Sequence, residues 1–133
     1  MSNQITKHFT RDEIECRCGC GGMPSIAFMD KVETLRVMCG FPFRVGSCAR
    51  CATHNSNIGG AKQSDHIVRA MRKDTDERGA IDIKVDEFSY ERRYALVQHG
   101  ISLGFDVIEI CDAHVHLGIR GVEKGILFTG KSR

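Results

Sequence analysis

The sequence lacks the long apolar segments that mark membrane-spanning and exported proteins. No apolar run approaches the roughly 20 residues that a membrane-spanning helix needs. Residues 1–8, Met-Ser-Asn-Gln-Ile-Thr-Lys-His, lack the apolar core of a secretory signal. We therefore expect a protein made in the cytoplasm, without a membrane span, that would reach a cell wall only by another export or release route.

A large charge imbalance, internal repeats and low-complexity tracts are also absent. The formal net charge of +2 is too small to favour a nucleic acid as the partner. With 41% hydrophobic and 27% charged residues, the composition is that of an ordinary globular protein. A chain of 133 residues can bury one core but is short for two domains. We expect a single domain over residues 1–133 that acts as a monomer.

Cysteine, by contrast, is abundant, with seven residues. Because this number is odd and no secretion signal accompanies it, a disulfide framework is not the default interpretation. Cys48 and Cys51 have the Cys-x-x-Cys spacing of zinc knuckles, and Cys16, Cys18 and Cys20 could supply the other thiolates. A second zinc bound by cysteines, free thiols and one disulfide all stay open as alternatives.

Capping residues and apolar periodicity predict helices in the first part of the chain and one more later. Thr10 with Glu13 begins a short helix, and Ser25 begins a longer one that ends at about Cys39 before Gly40. Residues 51–58 are expected to form a further helical turn before Gly59-Gly60. Ser89 caps a helix to about residue 103. We expect its core-facing stripe to be Tyr90, Tyr94, Val97 and Ile101.

Alternating or continuous apolar runs predict strands at residues 43–47, 79–85, 105–110 and 126–128, and at the segment that starts with Cys111. Residues 67–78 are charged and weakly periodic, which indicates an exposed excursion. Helices followed by strands with one inserted helix indicate an α+β fold. We expect N-terminal helices packed on a largely antiparallel sheet.

Two of these strands carry polar side chains that chemistry can use. Because strand side chains alternate between faces, Asp112, His114 and His116 should point the same way. Asp82 shares this pattern, since the other face of its strand is apolar, and His66 follows a glycine-rich turn. Two histidines and one carboxylate are the ligand set of a catalytic zinc site with one position left open.

Ordered motifs along most of the chain, from about His8 to Arg120, resemble the zinc D-Ala-D-Ala carboxypeptidase family of peptidoglycan metallopeptidases. This family includes vancomycin-resistance dipeptidases and phage endolysins that cleave the L-alanyl-D-glutamate bond. The motifs are Ser47 to Asn55 with its arginine, Gly59-Gly60, Ser64-x-His66, Gly79-Ala80-x-Asp82 and His116. The resemblance implies a hedgehog-like fold and hydrolysis of stem peptides, by a carboxypeptidase or an endopeptidase, as in a phage lysis enzyme.

The resemblance also implies a role for each matching position. His66, Asp82 and His116 match the zinc ligands of the family. Arg50 matches an arginine that binds a substrate carbonyl or carboxylate, for which its paired donors are suited. Ser64 matches a serine that contacts the substrate next to the first ligand. The implied partner is a peptidoglycan peptide and the implied cofactor is one catalytic Zn²⁺.

Two features depart from the family pattern. His66 and Asp82 are 16 positions apart, against about seven in the family, so residues 67–78 are interpreted as an insertion beside the site. The general base of the family commonly lies three residues before the last histidine, where this chain has Ala113. We favour Asp112 as the base, with His114 as an electrostatic helper or as the alternative base.

Three other functions are weighed against the peptidase. If neither Asp112 nor His114 is correctly placed, the chain could be a zinc-binding protein of the cell wall or of a phage particle without catalysis. A cysteine-zinc module that binds nucleic acid is disfavoured by the near-neutral charge. A nucleophilic Cys111 beside His114 is disfavoured because the zinc site uses the same strand face.

Overall fold

A computed structural model of the chain describes residues 3–60, 64–67, 73–122 and 124–130. In these residues four helices accompany one five-stranded sheet. The helices are α1 (Arg11–Ile14), α2 (Ile26–Cys39), α3 (Ala52–Asn57) and α4 (Tyr90–Ser102). The strands are β1 (Arg44–Ser47), β2 (Gly79–Lys84), β3 (Val107–Ile110), β4 (His114–Ile119) and β5 (Ile126–Thr129).

The sheet has the strand order β1-β2-β4-β3-β5. Its first three pairings are antiparallel, and the pairing of β3 with β5 is parallel. The predicted α+β class with a largely antiparallel sheet is therefore confirmed. Among the described residues, no helix combines the length and hydropathy needed to cross a bilayer.

The predicted helix caps are present. The Oγ of Ser25 accepts a hydrogen bond from the backbone N–H of Phe28 at 3.1 Å, which fixes the start of α2. Gly40 ends this helix in the left-handed conformation, with φ of 75°, which favours glycine. Ser89 caps α4 through the N–H of Arg92 at 3.2 Å. These local interactions explain why the helix boundaries follow from the sequence.

The core lies on one face of the sheet, between the sheet and helices α2 and α4. Side chains from α2 and α4 pack there against apolar residues of the three central strands. All of the following are buried: Phe28, Val32 and Leu35 of α2, Leu96 of α4, and Ile81, Ile83, Ile108, Val115 and Leu117 of the strands. Since strand residues alternate, the other face of β2 and β4 carries Asp82 and His116. The core thus sets which face the polar side chains occupy.

Of the four residues predicted for the core stripe of α4, Val97 packs against the core, but the other three are wrong. Tyr90, Tyr94 and Ile101 are 84%, 69% and 55% exposed, whereas Leu96 and Gly100 are buried. A Cβ atom on Gly100 would lie 2.6 Å from Cδ2 of Leu117, so the helix backbone packs directly on β4 there. The face of α4 that meets the sheet therefore differs from the predicted one. Apolar periodicity does not count glycine as a core residue, and here Gly100 lies directly against Leu117.

The excursion predicted at residues 67–78 is described only in part, because residues 68–72 lie outside the described ranges. Ile67 is buried, and residues 73–78 form no helix or strand. The backbone N–H of Ala27 donates to the carbonyl oxygen of Asp74 at 2.9 Å. The end of the excursion is therefore attached to the start of α2.

Replacing Gly79 with alanine should destabilise the fold by overpacking. The new Cβ would lie 2.8 to 3.1 Å from three ring carbons of Phe28, which is fully buried and cannot move aside. We expect Gly79→Ala to lower the free energy of unfolding by about 1–3 kcal/mol, measured by urea denaturation. Gly125→Ala is the matched control, because its Cβ would meet nothing closer than 3.7 Å. Equal stabilities of the two variants would contradict this packing.

Candidate metal centre

Three side chains from separate parts of the chain converge on the polar face of the sheet. Asp82 on β2 and His116 on β4 are direct partners in the antiparallel pairing, so their side chains project on the same side. His66 reaches them from the loop before residue 68 and is buried. The three predicted zinc ligands are therefore brought together.

The distances between these three side chains suit a zinc ion. Nε2 of His66 lies 3.2 Å from Oδ1 of Asp82 and 3.2 Å from Nδ1 of His116. Nδ1 of His116 lies 3.0 Å from Oδ1 of Asp82. Tetrahedral zinc with bonds of 2.0–2.1 Å separates its ligand atoms by about 3.3 Å. The donor set and its spacing both fit a site with three protein ligands, the number that catalytic zinc sites use.

A hydrogen bond to the backbone fixes the ring of His66. Its Nδ1 lies 2.7 Å from the carbonyl oxygen of Cys48. A carbonyl oxygen can only accept, so Nδ1 carries the proton and donates it. The lone pair of Nε2 is then directed at Asp82 and His116, as a metal ligand requires.

His116 has a carboxylate partner that the sequence analysis missed. Its Nε2 lies 3.9 Å from Oδ2 of Asp65, on the side of the ring opposite Asp82. Arg120 holds Asp65 through two hydrogen bonds, Nε to Oδ1 at 3.0 Å and Nη2 to Oδ2 at 2.9 Å. A carboxylate behind a histidine is the usual outer shell of a zinc site. The only sequence signal was that Asp65 precedes a predicted ligand.

The titration of these groups favours a cation at the site. Burial raises the pKa of Asp82, but the adjacent imidazoles of His116 and His66 outweigh it and hold the pKa well below its usual range. Burial lowers the pKa of His116, but the carboxylates of Asp65 and Asp82 on either side of its ring outweigh it and raise the pKa to about 9. Both carboxylates therefore attract positive charge at this ring. A divalent ion on Nδ1 would supply that charge in place of a proton.

Arg50 and Ser64 both bear on the position of His66. The backbone N–H of Arg50 donates to the carbonyl oxygen of His66 at 2.9 Å, which ties the two segments together. The Oγ of Ser64 accepts from the backbone N–H of His66 at 3.2 Å. Nη1 of Arg50 donates to Oδ1 of the buried Asn55 at 3.1 Å, which orients the guanidinium. A contact of Arg50 or Ser64 with the substrate stays a prediction.

The expectation that Asp112 shares a strand face with His116 is wrong. Strand β4 begins at His114, and Asp112 lies exposed in the turn that follows β3. His114 does lie on the face of His116, two positions earlier on β4. One ligand atom each of His114, Glu109 and Cys111 lie within 4.8 Å of one another. A catalytic role for Asp112 stays a prediction without the geometry that motivated it.

Cys111 does not have the properties of a nucleophile. Its Sγ donates a hydrogen bond to Oε1 of Glu109 at 3.2 Å. Burial and the neighbouring Glu109 raise its pKa to about 12, so the thiol is protonated at neutral pH. A cysteine that attacks a substrate needs a lowered pKa. The prediction that Cys111 is not a nucleophile is therefore supported.

Comparison of the chain with known protein families gives a match. A family model described as Peptidase M15 matches residues 7–118 of the chain. The matched range includes His66, Asp82, His116 and Arg50. No curated protein matches the chain.

Replacing Asp65 with asparagine should weaken metal binding without touching a proposed ligand. The amide removes the negative charge behind His116, so we expect zinc affinity at this site to fall by about 10- to 100-fold. The measurement is the zinc retained per chain over a series of chelator concentrations. Asp76→Asn is the matched control, because Asp76 also pairs with an arginine, Arg78, but takes no part in the histidine site. Identical zinc retention in Asp65→Asn and wild type would show that Asp65 does not support His116.

Proposed function

Because the chain belongs to the peptidase M15 family, we propose that it is a zinc-dependent peptidase that hydrolyses peptide bonds in peptidoglycan stem peptides. Members of this family are metallopeptidases, and the proposal adds that the substrate is a peptidoglycan peptide. The observation that supports it most directly is the convergence of His66, Asp82 and His116 within 3.2 Å of one another. No feature of the described residues outside this site offers a comparable catalytic arrangement.

The three side chains would hold the metal, and neighbouring groups would hold the substrate. Zinc bound there supplies a Lewis acid that polarises a carbonyl and lowers the pKa of water to about 7. The guanidinium of Arg50 offers paired N–H donors to a substrate carbonyl or terminal carboxylate. Asn55 keeps that guanidinium in one orientation, and Gly60 makes this contact sterically feasible. A Cβ at Gly60 would lie 2.2 Å from Oδ1 of Asn55.

We assign the general base to the face that carries His116, with Glu109 as the base and His114 as its helper. Glu109 on β3 is the direct antiparallel partner of His116, so its carboxylate projects on the metal-binding side of the sheet. His114 is on the same face. A carboxylate there can take the proton of the attacking water and pass it to the leaving amine. Glu109, on a neighbouring strand, would then provide the acidic group that the family has at the position of Ala113.

Three variants separate the candidates for the base. We expect Glu109→Gln to lower kcat by roughly 100- to 10,000-fold, the range that a positioned acid–base group contributes. His114→Gln should also lower kcat, by a smaller factor, whereas Asp112→Asn should stay near wild type because of its place in the turn. Zinc content is measured beside activity, so that a lost base is distinguished from a lost metal. A large loss in Asp112→Asn alone would restore the base predicted from the sequence.

Purified peptidoglycan is the substrate for the test of the function itself. We expect the protein to release fragments that mass spectrometry identifies, with activity lost to a chelator and restored by zinc. Release of D-alanine identifies a carboxypeptidase, and new termini between L-alanine and D-glutamate identify an endopeptidase. His116→Ala should abolish release, while His99→Ala, a change in the last turn of α4 outside the proposed site, should not.

The non-catalytic alternative is favoured by one observation, the alanine at position 113. It expects the protein to sediment with peptidoglycan and release no fragment at any zinc concentration. That result, with zinc bound stoichiometrically at the histidine site, would refute the peptidase proposal and leave a wall-binding protein.

A further inference from the structure

We propose that Cys16, Cys18, Cys20 and Cys51 form a second metal site, a structural zinc bound by four thiolates. Their four Sγ atoms all lie within 4.8 Å of one another. Cys16, Cys18 and Cys20 lie on the loop after α1, and Cys51 immediately precedes α3. This site is separate in composition and sequence from the histidine site, and its existence does not depend on the proposed peptidase activity.

The sulfur positions match tetrahedral zinc better than a disulfide. Sγ of Cys18 lies 3.4 Å from Sγ of Cys16 and 3.7 Å from Sγ of Cys51. Zinc–sulfur bonds of about 2.3 Å in a tetrahedron place sulfur atoms about 3.8 Å apart. A disulfide would need about 2.05 Å between two of them. All seven cysteines are free thiols in the structure.

Backbone amides are directed at three of the four sulfur atoms. The N–H of Cys51 donates to Sγ of Cys16 at 3.3 Å, and the N–H of Gly22 donates to Sγ of Cys20 at 3.4 Å. The N–H of His54 donates to Sγ of Cys51 at 3.3 Å. Hydrogen bonds from N–H groups are stronger to ionised acceptors than to neutral ones. The loop is thus built to stabilise thiolates, the form that binds zinc.

The loop conformation is needed to bring three alternate cysteines to one point. In an extended strand, Cys16 and Cys20, which are four residues apart, would be separated by about 13.6 Å along the chain and could not share an ion. Gly19 and Gly21 adopt φ of 82° and 84°, in the left-handed region that favours glycine. These two positions curl the loop so that the three thiols face Cys51.

The alternative pairing of Cys48 with Cys51 is wrong. Cys48 is 3% exposed and belongs to the hydrophobic core cluster. Burial raises the pKa of its thiol, which keeps it protonated. Its contribution is the backbone carbonyl that orients His66. The described residues place Cys39 and Cys111 outside the cluster as well.

The position of the site indicates what the metal does. Cys51 is adjacent to Arg50 and caps α3, the helix that carries Asn55. Cys16 is buried, but Cys18 and Cys20 are exposed, so little buried apolar surface holds the outer part of this loop. Where a core is small, a metal supplies the missing folding energy. We therefore infer that the cysteine-bound zinc fixes the segment that presents Arg50 to the substrate.

Metal content and cobalt spectra test the site on the full chain, purified with a reducing agent. Wild type should hold two zinc ions per chain, and Cys18→Ser combined with Cys20→Ser should hold one. Cys39→Ser is the control, because Cys39 lies outside the cluster, and should hold two. The cobalt form should show thiolate-to-cobalt charge-transfer absorption in wild type and in the double variant of His66→Ala with His116→Ala. That last variant separates failure of this site from failure of the proposed peptidase.

A measurement on the wild-type chain alone covers the case in which the cysteine variants do not fold. An alkylating reagent should modify Cys39 with zinc present and leave Cys18 and Cys20 unmodified, although both are exposed. A chelator should make both reactive. The inference is overturned if Cys18 and Cys20 react equally with and without zinc, if the cobalt form lacks the thiolate absorption, or if reduced protein contains a disulfide among the four.

Discussion

The antiparallel register of β2 against β4 is the constraint on which the metal centre depends. It pairs Asp82 with His116 and, one position away, buries Ile81 and Ile83 in the core. A slip of one residue would turn those isoleucines to the polar face and bury the aspartate. Hydrophobic burial, at about 25 cal/mol per Å² of apolar surface, therefore selects the same register that the chemistry needs. The core and the site cannot be separated in this fold.

The rest of the site comes from loops, which a sheet register cannot position. His66 is held by its own hydrogen bonds: its Nδ1 donates to the carbonyl oxygen of Cys48, and its carbonyl oxygen accepts from the N–H of Arg50. Asp65 is held by Arg120, which follows β4, so the loop is also anchored to the end of the strand that carries His116. The fixed and the loop-borne ligands are joined by polar contacts rather than by apolar packing. Preorganisation of such ligands is what allows a metal to bind without reordering the chain.

Patterns local to the sequence predicted the parts of the structure that local physics determines. Serine caps and the glycine at the end of α2 are enough to place the helix boundaries. The alternation in β2 is enough to place Asp82 on a polar face. The strand containing His116 was found, but its start was misplaced, because a turn at Asp112 leaves no apolar periodicity to detect. Most of the stripe of α4 was wrong because Gly100, and not a large apolar residue, is the contact point with Leu117. The pairing of Asp65 with Arg120 and the choice of Cys20 over Cys48 in the cysteine cluster depend on contacts between residues far apart in sequence. Residue spacing does not encode such contacts.

Residues 48–51 connect the two metal-binding clusters, and this explains how an arginine on a loop can act with precision. The carbonyl of Cys48 binds the ring of His66, and the N–H of Arg50 binds its backbone. The N–H and Sγ of Cys51 both belong to the cysteine cluster. A loop of four residues anchored at both ends loses most of its conformational freedom before substrate binds, so less entropy remains to be lost on binding. Arg50, between the anchors, gains its orientation from both, and a metal at the cysteines would strengthen the anchor whose outer thiols, Cys18 and Cys20, are exposed.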